Sequence, residues 1–236
     1  MKRFYRDVAV TAVSVRAGSG SFGILLDLKA VKTPAAELFA VPTRALADAI
    51  AEEWRMQEER VLPTTMPLMQ MAATAIDGVR KARETTIEDL LRYLESDVLC
   101  YRAASPPELA ARQAALSDPW LSWFQKDTGI GLAATTELVA RPADGAKALL
   151  RPRLLAMDDF RLVGLQVAAG LTGSIVLALS MAKGVIDARD AYAAAEVEAV
   201  WQAEKWGADA EAEARRTNLQ AELAAVQRFF VALKQL

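Results

Sequence analysis

"VPTRALADAIAEEWRMQ", residues 41–57, is where the character of the chain changes. Inside it, Leu46, Ala49, Ile50 and Trp54 recur at the period of one helix face. Thr43 stands just ahead, where a hydroxyl accepts from the first free amides of a helix. Before Pro42 the pattern is that of strands. "FYRDVAVTAVSVRAG", residues 4–18, roughly alternates through Val8, Val10, Ala12, Val13 and Val15. "GSGSFG", residues 18–23, reads as the turn that follows. "ILLDLKAVKTPAAELFAVP", residues 24–42, continues in short extended pieces broken by Pro34 and Pro42. The expected fold class is therefore α+β. A small β-rich N-terminal domain is expected over 1–42, followed by a larger all-helical C-terminal domain over 43–236.

Downstream the helical period persists. "VLPTTMP", residues 61–67, is a proline-bounded connector. "LMQMAATAIDGVRKA", residues 68–82, sets Leu68, Met71, Ala75 and Val79 on one side. "TTIEDLLRYLESD", residues 85–97, opens on a threonine expected to cap a helix. "PPELAARQAALSDPWLSWFQKDTG", residues 106–129, reads as one helix or two, interrupted near Pro119. Another helix is expected over 144–159 with a kink at Pro152, two more over 160–182, and two last ones at 187–205 and 208–234.

Residues 162–182 carry no charge and are long enough to span a bilayer. Their middle, "AAGLTGS", combines Gly170, Gly173, Thr172 and Ser174, which reads as a helix stop followed by a new cap. Two buried helices are expected in preference to a membrane span.

Composition excludes much chemistry. The 236 residues carry a net charge of −2, one cysteine and no histidine. There is no Ser-His-Asp triad, no Cys-His pair and no histidine metal site; a thiolate zinc site fails because Cys100 stands alone. No cofactor or metal is expected. The near-neutral balance gives no reason to bind nucleic acid. A lone cysteine fits a reducing compartment. "MKRFYRDVAV" has neither the apolar run of a secretory signal nor an Arg/Ser-rich leader. That suggests a bacterial cytoplasm, or a mature protein whose leader has been removed.

Three places remain as candidate sites. "GSGSFG" resembles a phosphate loop but lacks the Lys-Ser/Thr ending, and Lys29 and Lys32 near the next turn are candidates for gripping an anion; a hairpin turn and two solvated lysines are the plainer reading. "YLESDVLCYRA", residues 93–103, gathers Asp97, Cys100, Tyr101 and Arg102. Asp97 is a candidate general base and Arg102 a carboxylate holder. Otherwise Asp97 and Arg102 pair or cap a helix end and Cys100 packs. In "AEVEAVWQAEKWGAD", residues 195–209, Glu198, Gln202 and Lys205 share a helix face bordered by Trp201. This is a solvated flank with a Glu198–Lys205 attraction, or a tryptophan-edged docking face.

Several motifs together resemble a known family. "KRFYRDV" at 2–8, "LDLKAVKTPA" at 26–35, "VPTRALADAIAEEWRMQ" at 41–57, "MPLMQMAATAID" at 66–77, "DVLCYRA" at 97–103 and "VWQAEKWGADAEAE" at 200–213 occur in the order found in the assembly chaperones of the F-type ATP synthase alpha subunit, known from mitochondria and alpha-proteobacteria. There are departures. Leu28 stands where the family usually has glycine, which bears on the tight turn there; Ala73 stands where a small polar residue is usual; Ser117 replaces a tryptophan before Asp118-Pro119, and Trp120 follows.

The resemblance implies a β-rich N-terminal part, a helical C-terminal part and a non-enzymatic role. It implies binding of the free alpha subunit, which is kept from aggregating until the beta subunit replaces the chaperone. It also implies a functional acid late in the helical part, which falls on Glu198, with Trp201, Gln202, Lys205 and Trp206 as supporting partner-binding residues. Trp206 beside Gly207 reads equally as a plug at a helix end. A monomer is expected. Rival readings are a small-molecule enzyme around Asp97 and Arg102, a membrane-associated assembly factor using 162–182, and a general holdase.

Overall fold

The computed structural model describes residues 1–14, 20–137, 144–207 and 209–234. The chain is α+β: a small antiparallel sheet comes first and helices follow. It divides into two compact units. The first holds the described residues of Met1–Arg83, Asp159–Val163 and Arg228–Leu236; the second holds those of Glu84–Asp158 and Gly164–Gln227.

In the first unit, strand β2 (Gly20–Leu26) is central. It pairs with β1 (Val8–Ser14) from Val8↔Leu26 to Ser14↔Gly20. Its other edge takes the short strands β3 (Lys29–Ala30) and β4 (Ala40–Val41). Gly20–Gly23 therefore lie in β2 and not in a turn, because the alternation of Phe22, Ile24 and Leu26 extends pairing back over them. Residues 18 and 19 of that expected turn, and Val15, lie outside the described residues. Helix α1 (Arg44–Arg55) packs on β1 and β2 with Leu46, Ala47, Ile50 and Trp54 buried. Thr43 caps it as expected: its hydroxyl oxygen accepts from the Leu46 amide at 3.2 Å and donates to the Ala232 carbonyl at 2.6 Å.

The β2–β3 turn keeps its tight geometry without glycine. Asp27 and Leu28 have φ of 48° and 68°, the left-handed pair that a two-residue hairpin loop needs. The Asp27 carboxylate accepts from the Arg6 and Asp7 amides, which fixes the corner. Leu28 has no such compensation and is 90% exposed. A leucine in this region is strained by about 1–2 kcal/mol, part of which glycine gives back as unfolded-chain entropy. Leu28→Gly is expected to raise the free energy of urea unfolding by about 0.5–1 kcal/mol. A loss of stability instead would mean that the leucine side chain is held by contacts.

Helix α2 (Pro67–Thr74) passes through a π-helical segment, Ala75–Val79, into α3 (Arg80–Arg92). The extra residue of the π turn sits with Asp77, whose carboxylate accepts from the Thr33 hydroxyl at 2.7 Å and the Ala35 amide at 3.0 Å. A fresh helical stretch does begin here, but past Ala82, which is non-helical at φ −118°, ψ 30°; Thr85 therefore lies inside the helix and does not cap it as expected, and Thr86 is buried.

In the second unit, α4 (Pro107–Thr128) is a single helix despite Pro119. The proline is exposed, so the carbonyl it leaves without a donor faces water. Helix α5 (Ala146–Leu155) likewise contains Pro152. Helices α6 (Asp159–Thr172) and α7 (Ile175–Lys183) confirm the expected stop and restart: Gly173 has φ of 67°, and the Ser174 hydroxyl accepts from the Leu177 amide. Among the described residues no helix is long and apolar enough to cross a membrane. The helix expected over 187–205 is two, α8 (Ala188–Ala195) and α9 (Val197–Trp206), because Glu196 leaves helical geometry at φ −104°, ψ 18°. Helix α10 (Ala210–Leu233) ends the described chain. Helix α4 packs against α7, α8 and α9.

Candidate functional site

The Asp97 cluster resolves into a structural staple. Asp97 is fully buried. Its Oδ1 accepts from the Leu99 amide at 3.1 Å; its Oδ2 accepts from the Ser174 hydroxyl at 2.9 Å and the Val176 amide at 3.1 Å. One carboxylate thus caps the short 3-10 turn Val98–Cys100 and the first turn of α7 together. Burial pushes its pKa up to about 6, against hydrogen bonds from Ser174, Val176 and Leu99 that pull it down. Arg102 does not pair with Asp97. Its guanidinium donates to the Leu99 and Tyr101 carbonyls and to Asp118 at 2.6 Å. Cys100 is buried, its thiol pushed up to about 12 by burial and the nearby Asp97 charge. That is an inert, packed cysteine. No oxygen of Asp97 is left facing solvent for a substrate. Lys29 and Lys32 are exposed beside their turn.

The C-terminal candidates lie on an arm. Val197 is the one buried residue of α9, and none of the described residues from Glu198 to Glu222 is buried. Helix α9 packs on α4 and is tied to it in its last turn. Glu204 and Arg112 of α4 meet through two bonds, at 2.6 and 3.0 Å, which hold the Glu204 carboxyl below its usual range. Glu196, before α9, takes Arg215 of α10 at 3.2 Å. Asp209 caps α10 by accepting from the Ala212 amide at 2.7 Å.

The five expected partner-binding residues divide between two faces. Lys205 places its ammonium 4.9 Å from the centre of the Trp201 ring, a cation–π contact. With Glu198, spaced at 198, 201 and 205, they form one stripe along α9. Lys205 is engaged with Trp201 rather than Glu198 in this arrangement. Gln202 and Trp206 lie on the neighbouring stripe and line a groove of about 620 Å³ between α9 and α10. Gln202 joins the two stripes by donating to Glu198 Oε1 at 3.2 Å. Trp206 is 78% exposed, so it is not a plug at the helix end. The groove floor is alanine: Ala199 and Ala203 from α9, Ala212 from α10. Sequence reading passed over these. The small pair four apart on α9 was the available signal; the Arg112–Glu204 tie, 92 residues apart, had none.

A family model described as the ATP12 chaperone protein matches residues 2–125. The crystal structure of Atp12 from Paracoccus denitrificans is similar at a TM-score of 0.90 with 32% identity, over 99% of this chain and 98% of that one. An Agrobacterium tumefaciens protein proposed to be a chaperone is similar at a TM-score of 0.91 with 37% identity, over 99% of this chain and 86% of that one. The mitochondrial Atp12 protein of Schizosaccharomyces pombe is 22% identical over 222 residues, which is 87% of this chain and 74% of that one. The bacterial structures thus match this chain over nearly its whole length, and the chain belongs to the ATP12 chaperone family, the family its sequence resembles.

Proposed function

We propose that this chain is a non-enzymatic assembly chaperone of the F-type ATP synthase: in a bacterial cytoplasm it binds the free alpha subunit through the Glu198 face of the arm and yields it to beta. The observation that carries the reading is the arm itself. A family of chaperones must present surface to a client, and here the described residues of 198–222 are mostly helical yet none is buried, with Trp206 largely in solvent. Exposed tryptophan is unusual on a surface with no partner and common at the centre of binding sites. Unassembled ring subunits expose apolar interfaces, and covering one requires area and moderate affinity, not chemistry.

Freshly expressed alpha subunit is expected to be captured by the immobilised protein and displaced by added beta. Glu198→Lys is expected to lower capture about tenfold, by reversing the charge and releasing Gln202. Glu198 lies in the first turn of α9, so lysine there also opposes the helix dipole by about 0.5 kcal/mol. Glu198→Gln and circular dichroism separate the two effects. No capture by the unmodified protein overturns the function; capture unchanged in both variants overturns the role of Glu198.

A further inference from the structure

The groove of Gln202 and Trp206 continues along α10. A second depression of about 590 Å³ adjoins it along the first half of α10, with Leu171 and Leu219 among its lining. Glu196, Glu211 and Arg215 line both, so the two form one trough. It runs beside Ala210–Glu222, 13 residues of α10, or about 20 Å of helix axis. We propose that this trough seats one helix of the client, amphipathic and basic; this rests on reading the arm as the client-binding element.

Four observations choose that occupant. The walls are mainly helical, α9 and α10 around the first depression and the end of α6 with α10 around the second, so away from Gly207 and Asp209 an extended segment would find few backbone partners. A helix brings its hydrogen bonds with it. The apolar part of the lining is small: Ala199 and Ala203, four apart on α9, with Ala212 of α10, and Leu171 with Leu219 further along, which admits a third helix at close range. Trp206 closes one end as an apolar anchor. Charge sets the sign. The lining carries four carboxylates, Glu196, Asp209, Glu211 and Glu222, against Arg215 and Arg216, a net charge of −2. Glu196 is spent on Arg215, but Glu211 and Glu222 have no ion-pair partner among the described residues. A helix with one apolar stripe flanked by lysine or arginine answers that pattern; an acidic helix is repelled by it.

This also assigns Glu198 a different place from Trp206. Glu198 stands outside the trough and holds Gln202, which is inside. Glu198 is thus a rim and positioning residue, and the trough is the seat.

The test uses the full chain and two labelled model helices of about 18 residues, long enough to be helical when bound, one of leucine and lysine, the other of leucine and glutamate. Fluorescence anisotropy is expected to show the lysine helix binding at least about tenfold more tightly than the glutamate helix. Ala203→Trp, which fills the floor, is expected to abolish that binding. Glu211→Lys, which leaves the floor open, is expected to weaken it about threefold. Equal binding of the two helices, or binding unchanged by Ala203→Trp, overturns the proposal. So does a dimer in gel filtration that Ala203→Trp dissociates, because the occupant is then a second copy. Alpha capture read on the same variants separates the two claims. Capture lost in Glu198→Lys but kept in Ala203→Trp and Glu211→Lys overturns the trough and leaves the chaperone reading standing. A lysine helix bound and lost on filling the floor, with no alpha captured, upholds the basic-helix seat and overturns that client.

Discussion

Asp97→Ala is expected to lose about 4 kcal/mol of folding stability near about pH 5, and less near about pH 7.5. The loss arises because three donors are buried around the carboxylate: the Leu99 and Val176 amides and the Ser174 hydroxyl. Alanine leaves them without an acceptor, at about 1–3 kcal/mol for each group that cannot reach water. The pH dependence follows from the raised pKa. The folded carboxyl titrates at about 6 against an ordinary 3.8, burial being the largest cause. Its stability contribution is then complete below the ordinary value and is lost as the pH rises through about 6, on the order of 3 kcal/mol across that window. The alanine variant has no such titration, so the gap between the two proteins narrows with pH. Urea unfolding followed by circular dichroism at the two pH values reads it directly. A gap that widens with pH would show that the donors outweigh burial and that the carboxyl lies below its ordinary range. Asp97→Asn removes the titration with little change of shape, and its stability relative to Asp97→Ala is expected to stay flat across the same window.

The Asp97 staple also shows where sequence reading stops. That Asp97 caps a helix end was one of two readings open from the sequence, and the Leu99 contact is local enough to be legible. Ser174 was equally legible as a cap, since Gly173 beside it marks the break between α6 and α7. That the two meet, 77 residues apart, was not, because nothing in either segment encodes its partner. The same division holds elsewhere. Thr43 and the apolar period behind it gave α1, but not its bond to Ala232. Pro119 was weighed as a break because proline removes a ladder bond; exposure, which decides whether that matters, is a tertiary fact. On the arm, the sequence grouped Glu198, Trp201, Gln202, Lys205 and Trp206 by closeness along the chain. Helix geometry separates them into two stripes, and the groove on the second stripe exists only because α10 folds back beside α9. A motif names which residues belong together in a family; it does not say which of them face the same space.

Glu53→Ala is the second large loss expected, about 3 kcal/mol. Helix α2 begins with Pro67, and Met66 ahead of it offers no capping side chain. Its first free amides, on Leu68 and Met69, would be orphans, and Leu68 is buried where water does not reach. Glu53, near the end of α1 and itself buried, takes both: Oε1 accepts from Leu68 and Oε2 from Met69, each at 2.9 Å. The cap of one helix is thus supplied by the side of another, and α1 and α2 are locked by a carboxylate as well as by packing. Its pKa is raised, burial first, with the two amides and Arg228 opposing. Like Asp97, Glu53 therefore gives up stability as the pH rises through its folded pKa, whereas a surface carboxylate beside a cation gains it. Glu53→Gln keeps one acceptor oxygen and turns a donor toward the other amide, so it is expected to cost more than half of the alanine loss. Hydrogen exchange gives the specific reading. In Glu53→Ala the Leu68 and Met69 amides should lose protection beyond the general loss of stability, while the Leu99 and Val176 amides under Asp97 follow only the general loss. Unchanged protection at Leu68 would mean that another acceptor takes over and that the staple between α1 and α2 is apolar.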